Sequence, residues 1–373
     1  MSKTRSIFEE VGTEAPVDKP LVQPGAIDRA ARRGARGAVR IWLTMLFVLI
    51  AAMLVLGGVA RLTGNTLVLP GWNPVQGAIP PLDPGDWLAT MERYRVFGEP
   101  GPGLVAFQRI YWWEWARGML APLAGGVWLL GLAGFGLAGR MPKGWTLRLL
   151  GLGGLIVALG GTGWGMGQAP APFDGPSYRL LVETGLGFAL LGLLAWFIFK
   201  LRRTEAELIQ ARRARDGAVF GMATGLMHLA FLQILLGGLL GGLDAGRGFT
   251  DWPTMAGAIV PPDVLSLQPV WRNFAENPGL VQFLHRGAGY LVLILGLVAW
   301  LRARRSVHRS VRRAFGWVGG LVLLQAGLGI ATVMFAAQWH MALTHQLGAV
   351  LLWAMILRAR FLAQYPIQQS IRG

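Results

Sequence analysis

The stretches "QFLHRGAGY" (Gln282 to Tyr290) and "HMALTHQLGAVLLW" (His340 to Trp353) decide how this chain is read. Each sets a histidine, His285 and His345, about one helical turn inside the start of a long apolar segment. Ionisable side chains are expensive inside a bilayer and are usually kept there for a task. Two imidazoles at matching depth, on helices that cross in the same sense, can supply both axial ligands of one heme. Arg286, next to His285, could pair a heme propionate. Gly287 and Gly289 would let a flat ring approach the backbone. The same spacing also fits two histidines in polar contacts between helices, and the residues alone leave both readings open.

Composition sets the wider frame. The chain has 373 residues, 53% hydrophobic and 14% charged, with a mean hydropathy of +0.47. Such a chain is a polytopic membrane protein. Its 54 glycines and 16 tryptophans fit close helix packing and interfacial belts. With no cysteine, disulfides, iron–sulfur clusters, thiolate heme ligation and cysteine nucleophiles are excluded. The net charge of +16 suggests nucleic acid only until it is mapped, because the basic residues sit in short loops between apolar spans. The N-terminus lacks the short apolar core and small-residue site of a cleavable signal, and residues 1–28 read as a loosely attached tail.

Spans of about 20 apolar residues are long enough to cross a bilayer. Eight are expected, at 41–60, 113–138, 147–166, 179–199, 218–240, 281–301, 314–336 and 342–361. Segments 1–40, 139–148, 200–217, 302–313 and 358–373 hold 26 of the 35 lysines and arginines, while the two long alternate loops hold six. That alternation puts both termini in the cytoplasm. The long outer loops run parallel: Trp72, Pro74, Gly77, Pro80 and Pro81 in one, Trp252, Pro253, Gly257, Pro261 and Pro262 in the other. The expected fold is therefore an all-α integral membrane protein of eight helices, arranged as two pseudo-symmetric four-helix bundles. The expected domains are a basic tail (1–40), an N-terminal half (41–200), a linker (201–217), a C-terminal half (218–361) and a short tail (362–373).

Three further histidines carry less. His308 lies in the basic loop "RARRSVHRSVRR" and reads as a surface residue; His340 lies in a short outer turn. His228, mid-span in "GMATGLMHLAFLQ", is either a core histidine or a contact to a heme propionate or a quinone.

From about Arg40 to Phe361 the chain resembles heme A synthase, of the cysteine-free class found in alphaproteobacteria and mitochondria. The resemblance is carried jointly by "RLT" with "WNPVQGAIPP", "FQRIYWWEW", "SYRL", "GLDAG" with "WPTM" and "IVPP", "WRNFAEN", "QFLHR" and "THQLGA". It implies eight helices in two similar halves and oxidation of a methyl group of heme O to the formyl of heme A, for cytochrome oxidase biogenesis. It implies a heme b cofactor in the C-terminal half on His285 and His345. It also implies a substrate heme in the N-terminal half, held by a second histidine pair beside a catalytic glutamate, here Glu114. The implied setting is the inner membrane, with heme O synthase nearby and an electron donor that the sequence does not reveal. A homo-oligomer stays open.

The chain departs from that pattern at the expected site of reaction. The family's Glu-x-x-His reads Glu114-Trp115-Ala116-Arg117, and the histidine expected three residues after "YRL" is Glu183. The family's "SGLS" reads "NTLV" from Asn65 to Val68. Arg117 and Glu183 carry opposite charges, so an ion pair closing the N-terminal heme site is expected. The alternative is a pocket in which Arg117 holds a propionate of heme O without axial ligation. Loss of both histidines raises a second function, a catalytically inactive heme b-binding paralogue in heme handling or oxidase assembly. A transporter ranks lowest, because no span is broken by a proline–glycine interruption.

Overall fold

The structure, a computed structural model, describes residues 26–62, 77–95, 103–165 and 175–367. Regular structure among these residues is helical: α1 (Ala26–Leu62), α2 (Pro84–Arg95), α3 (Leu104–Leu137), α4 (Thr146–Gly165), α5 (Pro176–Leu201), α6 (Glu205–Arg213), α7 (Gly217–Gly242), α8 (Asn273–Glu276), α9 (Pro278–Ala303), α10 (Arg309–Met334) and α11 (Trp339–Gln364). Seven of them are long and apolar enough to cross a membrane, and α4 adds a shorter apolar stretch, Thr146–Thr162. The chain is a multi-pass helical membrane protein. Residues 26–28, expected to be tail, already belong to α1. The region expected to be a plain linker contains α6. The resemblance between the outer loops, with Trp72, Pro74 and the "NTLV" segment, falls largely outside the described residues.

Helix ends follow local chemistry. Pro176 and Pro278 occupy first-turn positions, where no amide hydrogen is needed. Asp216 caps α7 by accepting from the Val219 amide, and Asn277 caps α9 by accepting from Leu280. Thr204 and Glu207 form a reciprocal capping box on α6. α3 runs unbroken through Pro122.

The long helices pack as two rings. α1, α3, α4 and α5 each touch the next around one ring; α7, α9, α10 and α11 do so around the other. α5 is wedged against α7 and α11, and α1 against α11, which joins the rings. α9 and α11 stand at opposite corners of their ring, so contact between them is left to side chains reaching across the middle.

Tryptophan and glycine build the packing together. Trp42 of α1 lies on Gly131 of α3, Trp128 of α3 on Gly153 of α4, and Trp353 of α11 on Gly192 of α5. In each case the indole N–H donates to the carbonyl four residues before the glycine: Val127 at 2.8 Å, Leu149 at 2.8 Å and Phe188 at 3.0 Å. Where lipid tails are as apolar as side chains, close approach and satisfied polar groups hold helices together. A missing side chain uncovers the backbone carbonyl, and the indole fills the gap while finding its acceptor. These three tryptophans thus serve helix contacts, whereas composition alone suggested interfacial belts.

One end of the bundle carries the basic turns, including α6 and residues 304–308. There Arg36 donates to the carbonyls of Lys200 and Arg203, and Arg203 to that of Tyr365. At the opposite end, residues 243–277 form a loop over the C-terminal ring. Asn273 holds it by bonding Leu267 and Val270, and Asn277 by bonding Asp263.

Candidate functional site

His285, in the third turn of α9, and His345, in the second turn of α11, meet across the C-terminal ring. Their ring centroids are 6.5 Å apart with planes at 76°. A metal–nitrogen bond of about 2 Å and an imidazole radius of about 1.1 Å would put two rings on opposite sides of one metal ion roughly 6.2 Å apart. Each ring also rests against a helical glycine. A Cβ on Gly237 of α7 would stand 3.3 Å from His285 Cε1, and one on Gly329 of α10 would stand 3.2 Å from His345 Cε1.

The polar bookkeeping around the pair is incomplete. The Nδ1 atoms of both histidines and Oε1 of Gln233 are buried with no hydrogen-bond partner. Gln233 of α7 places Nε2 at 3.2 Å from His285 Nε2. Buried polar atoms are almost always paired, so unpaired nitrogen and oxygen atoms on three neighbouring side chains mark a place for a ligand. Neutral imidazole nitrogen is a heme-iron ligand, and the donor set fits a heme on His285 and His345. Gln233 was missed by sequence reasoning, although an uncharged amide within "FLQILLGG" is the kind of residue that would reveal it.

Arg286 is differently engaged than its position beside His285 suggests. Its Nη1 donates to the carbonyls of Asp251 and Thr254, both at 3.0 Å, and its Nη2 to that of Phe249 at 2.9 Å. Gln282, fully buried, donates to the same Phe249 carbonyl. The two side chains clamp the loop to α9, leaving only Arg286 Nε, buried and unpartnered, for a further acceptor. Within that loop Asp251 accepts from the amides of Gly257 and Ala256 and from the Thr254 hydroxyl. The Gly257 amide leads these donors in holding the Asp251 carboxyl down at about 2. Of the two glycines expected to admit a flat ring, Gly287 borders open space and Gly289 faces Gln233.

The N-terminal half is arranged otherwise. Glu114 is buried and takes a salt bridge from Arg117 at 2.6 Å. Glu183 is bonded by Arg179 at 3.0 Å, and Arg61, at the end of α1, is close enough to attract both Glu183 and Asp244. The expected Arg117–Glu183 pair is therefore replaced by two pairs internal to helices. The reason is spacing: residues three and four apart on one helix face are neighbours, while α3 and α5 occupy opposite corners of their ring. Trp87, Met91, Phe107 and Tyr111 form a small apolar cluster between α2 and the start of α3. Trp115 donates to Gly77 at 3.0 Å, so the Glu114 turn is pinned on both sides.

The remaining histidines are dispersed. His308 bonds the Ala214 carbonyl at 2.9 Å at the basic end, and His340 is exposed beside Trp339. His228 is exposed on α7, so it is not a core residue.

A helical membrane bundle that brings two spanning histidines to ligand distance defines a candidate heme-binding membrane protein. Residues 40–357 match a family described as "Cytochrome oxidase assembly protein" (COX15-CtaA). The chain is 51% identical to the heme A synthase of Ruegeria pomeroyi and 50% identical to that of Dinoroseobacter shibae, covering all of this chain and 100% and 99% of those proteins. It is 48% identical to the heme A synthase of Paracoccus denitrificans over 99% of this chain and 98% of that protein. The chain belongs to the heme A synthase family, an oxidoreductase family.

Proposed function

We propose that this protein oxidises a methyl group of heme O to the formyl group of heme A, for cytochrome oxidase biogenesis. The substrate occupies the N-terminal half, beside Glu114. His285 and His345 hold a heme b in the C-terminal half. A heme bound there supplies one-electron transfer. The observation that carries the reading is the facing of His285 and His345 at 6.5 Å with unpartnered Nδ1 atoms. Glu114 is buried, so it can hold or release a proton beside the substrate away from bulk water. Arg117 is half-exposed and can turn from Glu114 to a propionate of the incoming heme. The chain then crosses the inner membrane eight times in two related halves, α4 included, with both termini cytoplasmic, and receives heme O from a heme O synthase.

One observation favours a second reading. The charges that replace the family's N-terminal histidines are both satisfied internally, Arg117 by Glu114 and Glu183 by Arg179. A site closed in this way suits a non-catalytic protein that binds heme b alone. Expression in a membrane containing heme O synthase but no other heme A synthase, followed by extraction and chromatography of the hemes, separates the two. Heme A or its hydroxylated intermediate supports the synthase. Heme b alone supports the paralogue.

A further inference from the structure

Helices α5, α7 and α11 leave a groove of about 400 Å³ between the two halves. Trp196, Phe231 and Trp353 form its walls, and His228 and Arg360 are its ionisable groups. The function proposed above uses neither of them.

Arg360 lies about one turn before the end of α11, yet its guanidinium is turned into the span. Its Nε donates to Thr224 Oγ1 at 3.0 Å, and the group lies 5.0 Å from the centre of the Trp196 ring and 4.7 Å from that of Phe220. Thr224 is roughly 10 Å along α7 from its first residue, at 1.5 Å per residue. A snorkelling arginine would extend toward water. Among the described residues no carboxylate pairs with Arg360, and its two terminal nitrogens donate no hydrogen bond. A charge left in a membrane with unspent donors points to a ligand.

His228 supplies the complement. Its Nδ1 lies 2.9 Å from the Thr224 carbonyl. A carbonyl only accepts, so in the neutral ring Nδ1 carries the hydrogen and Nε2 is left as an acceptor. The groove thus offers a strong donor, an acceptor and flat aromatic walls. A phosphate or carboxylate headgroup would suit Arg360 but would set lone pair against lone pair at His228. A hydroquinone satisfies both, because each of its hydroxyls can donate or accept.

We propose that this groove binds the ring of a membrane quinol, with one hydroxyl donating to His228 Nε2 and the other accepting from Arg360. The tail lies along Leu193 and Leu357. His228 is five residues from Gln233 on α7, roughly 7.5 Å along the axis, and Gln233 touches His285. The site therefore holds an electron carrier close to the histidine pair. It names the class of electron donor for the proposed function, with dioxygen as the oxidant: each of two hydroxylations of the methyl consumes one dioxygen and one quinol and releases water and quinone, and the resulting gem-diol loses water to give the formyl. It rests on that reading only for the use of the electrons, because binding follows from the groove alone.

The test is binding of decylubiquinol and decylubiquinone, measured anaerobically on the full chain in phosphatidylcholine nanodiscs, with an azido-quinol probe to map the contact. The quinol is expected to bind about tenfold more tightly than the quinone, which has no hydroxyl to offer His228. His228→Leu removes that preference, and Arg360→Gln weakens both forms about tenfold. Cross-links fall on α5, α7 or α11 and survive added phosphatidylglycerol. Equal affinity for the two forms, cross-links elsewhere, displacement by phosphatidylglycerol, or wild-type binding in both variants would overturn the proposal. Unchanged helicity and melting qualify each variant. Heme A formation without quinol binding would sink this inference alone, and quinol preference without heme A formation would sink only the proposed function.

Discussion

Arg117 closes on Glu114 at 2.6 Å within one turn of α3, so the cation standing where the resemblance implied a histidine caps the buried carboxylate beside it. The equivalent substitution on α5, Glu183, is capped by Arg179. If these two pairs are what keep heme out of axial ligation in the N-terminal half, then Arg117→His combined with Glu183→His removes both at once and restores two imidazoles. The double variant is expected to raise bound heme per chain about twofold, by pyridine hemochrome assay. An unchanged heme content would show that the half is closed by something other than these charges.

Glu114 is the test of the reaction. Glu114→Gln keeps the shape and hydrogen bonding but removes the proton-accepting carboxylate. Heme A yield is expected to fall about 100-fold or more, while heme b bound to the same preparation stays constant. A variant that still forms heme A would place the chemistry elsewhere.

The histidine pair should act as a unit. His285→Ala or His345→Ala removes one of two ligands and is expected to weaken heme retention by at least about tenfold each, with the double variant little worse than either. The readout is the Soret band per protein after detergent purification. Retention of a wild-type band in both single variants would break the assignment.

The loop clamp makes two predictions. Arg286→Ala removes three hydrogen bonds to backbone carbonyls, of which only that of Phe249 keeps a second donor in Gln282, and should cost about 3 kcal/mol, seen as earlier melting and faster proteolysis between residues 249 and 257. Asp251 adds a pH dependence. Its folded pKa of about 2 lies below the usual carboxylate value, near 4. The stabilisation is therefore complete above about pH 4 and is lost as pH falls toward 2. Pepsin cleavage of this loop should rise across that window in the parent chain. Asp251→Asn should remove that pH dependence.

Gly153→Ala probes the packing device. Its Cβ would collide with the Trp128 ring, whose indole is also held by the Leu149 carbonyl. Such overpacking typically costs about 1–3 kcal/mol. Thermal melting in detergent measures it, and Gly154→Ala, which meets open space, is the matched control with little expected effect.

The sequence by itself determined the helices and their chemistry. Runs of apolar residues have to cross the bilayer as helices because lipid offers no partner for a bare backbone, and five of the seven spans lie within about five residues of where hydropathy put them, while those of α1 and α3 begin earlier, at Ala35 and Leu104. It also singled out His285 and His345, because a titratable group in such a run is conspicuous. Only the tertiary structure decided partners. Arg117 and Glu183 look complementary as letters but sit on opposite corners of a ring, so each turns to a neighbour on its own helix. Arg286 looks like a heme contact but is spent on carbonyls of a loop that begins far from it in sequence. That Gln233 meets His285, and that Arg360 and His228 share one groove, could not be read, because both arise where separate helices meet. Hydropathy is summed residue by residue along the chain, whereas a pairing depends on which helix faces turn together, and that is set by packing across the whole bundle.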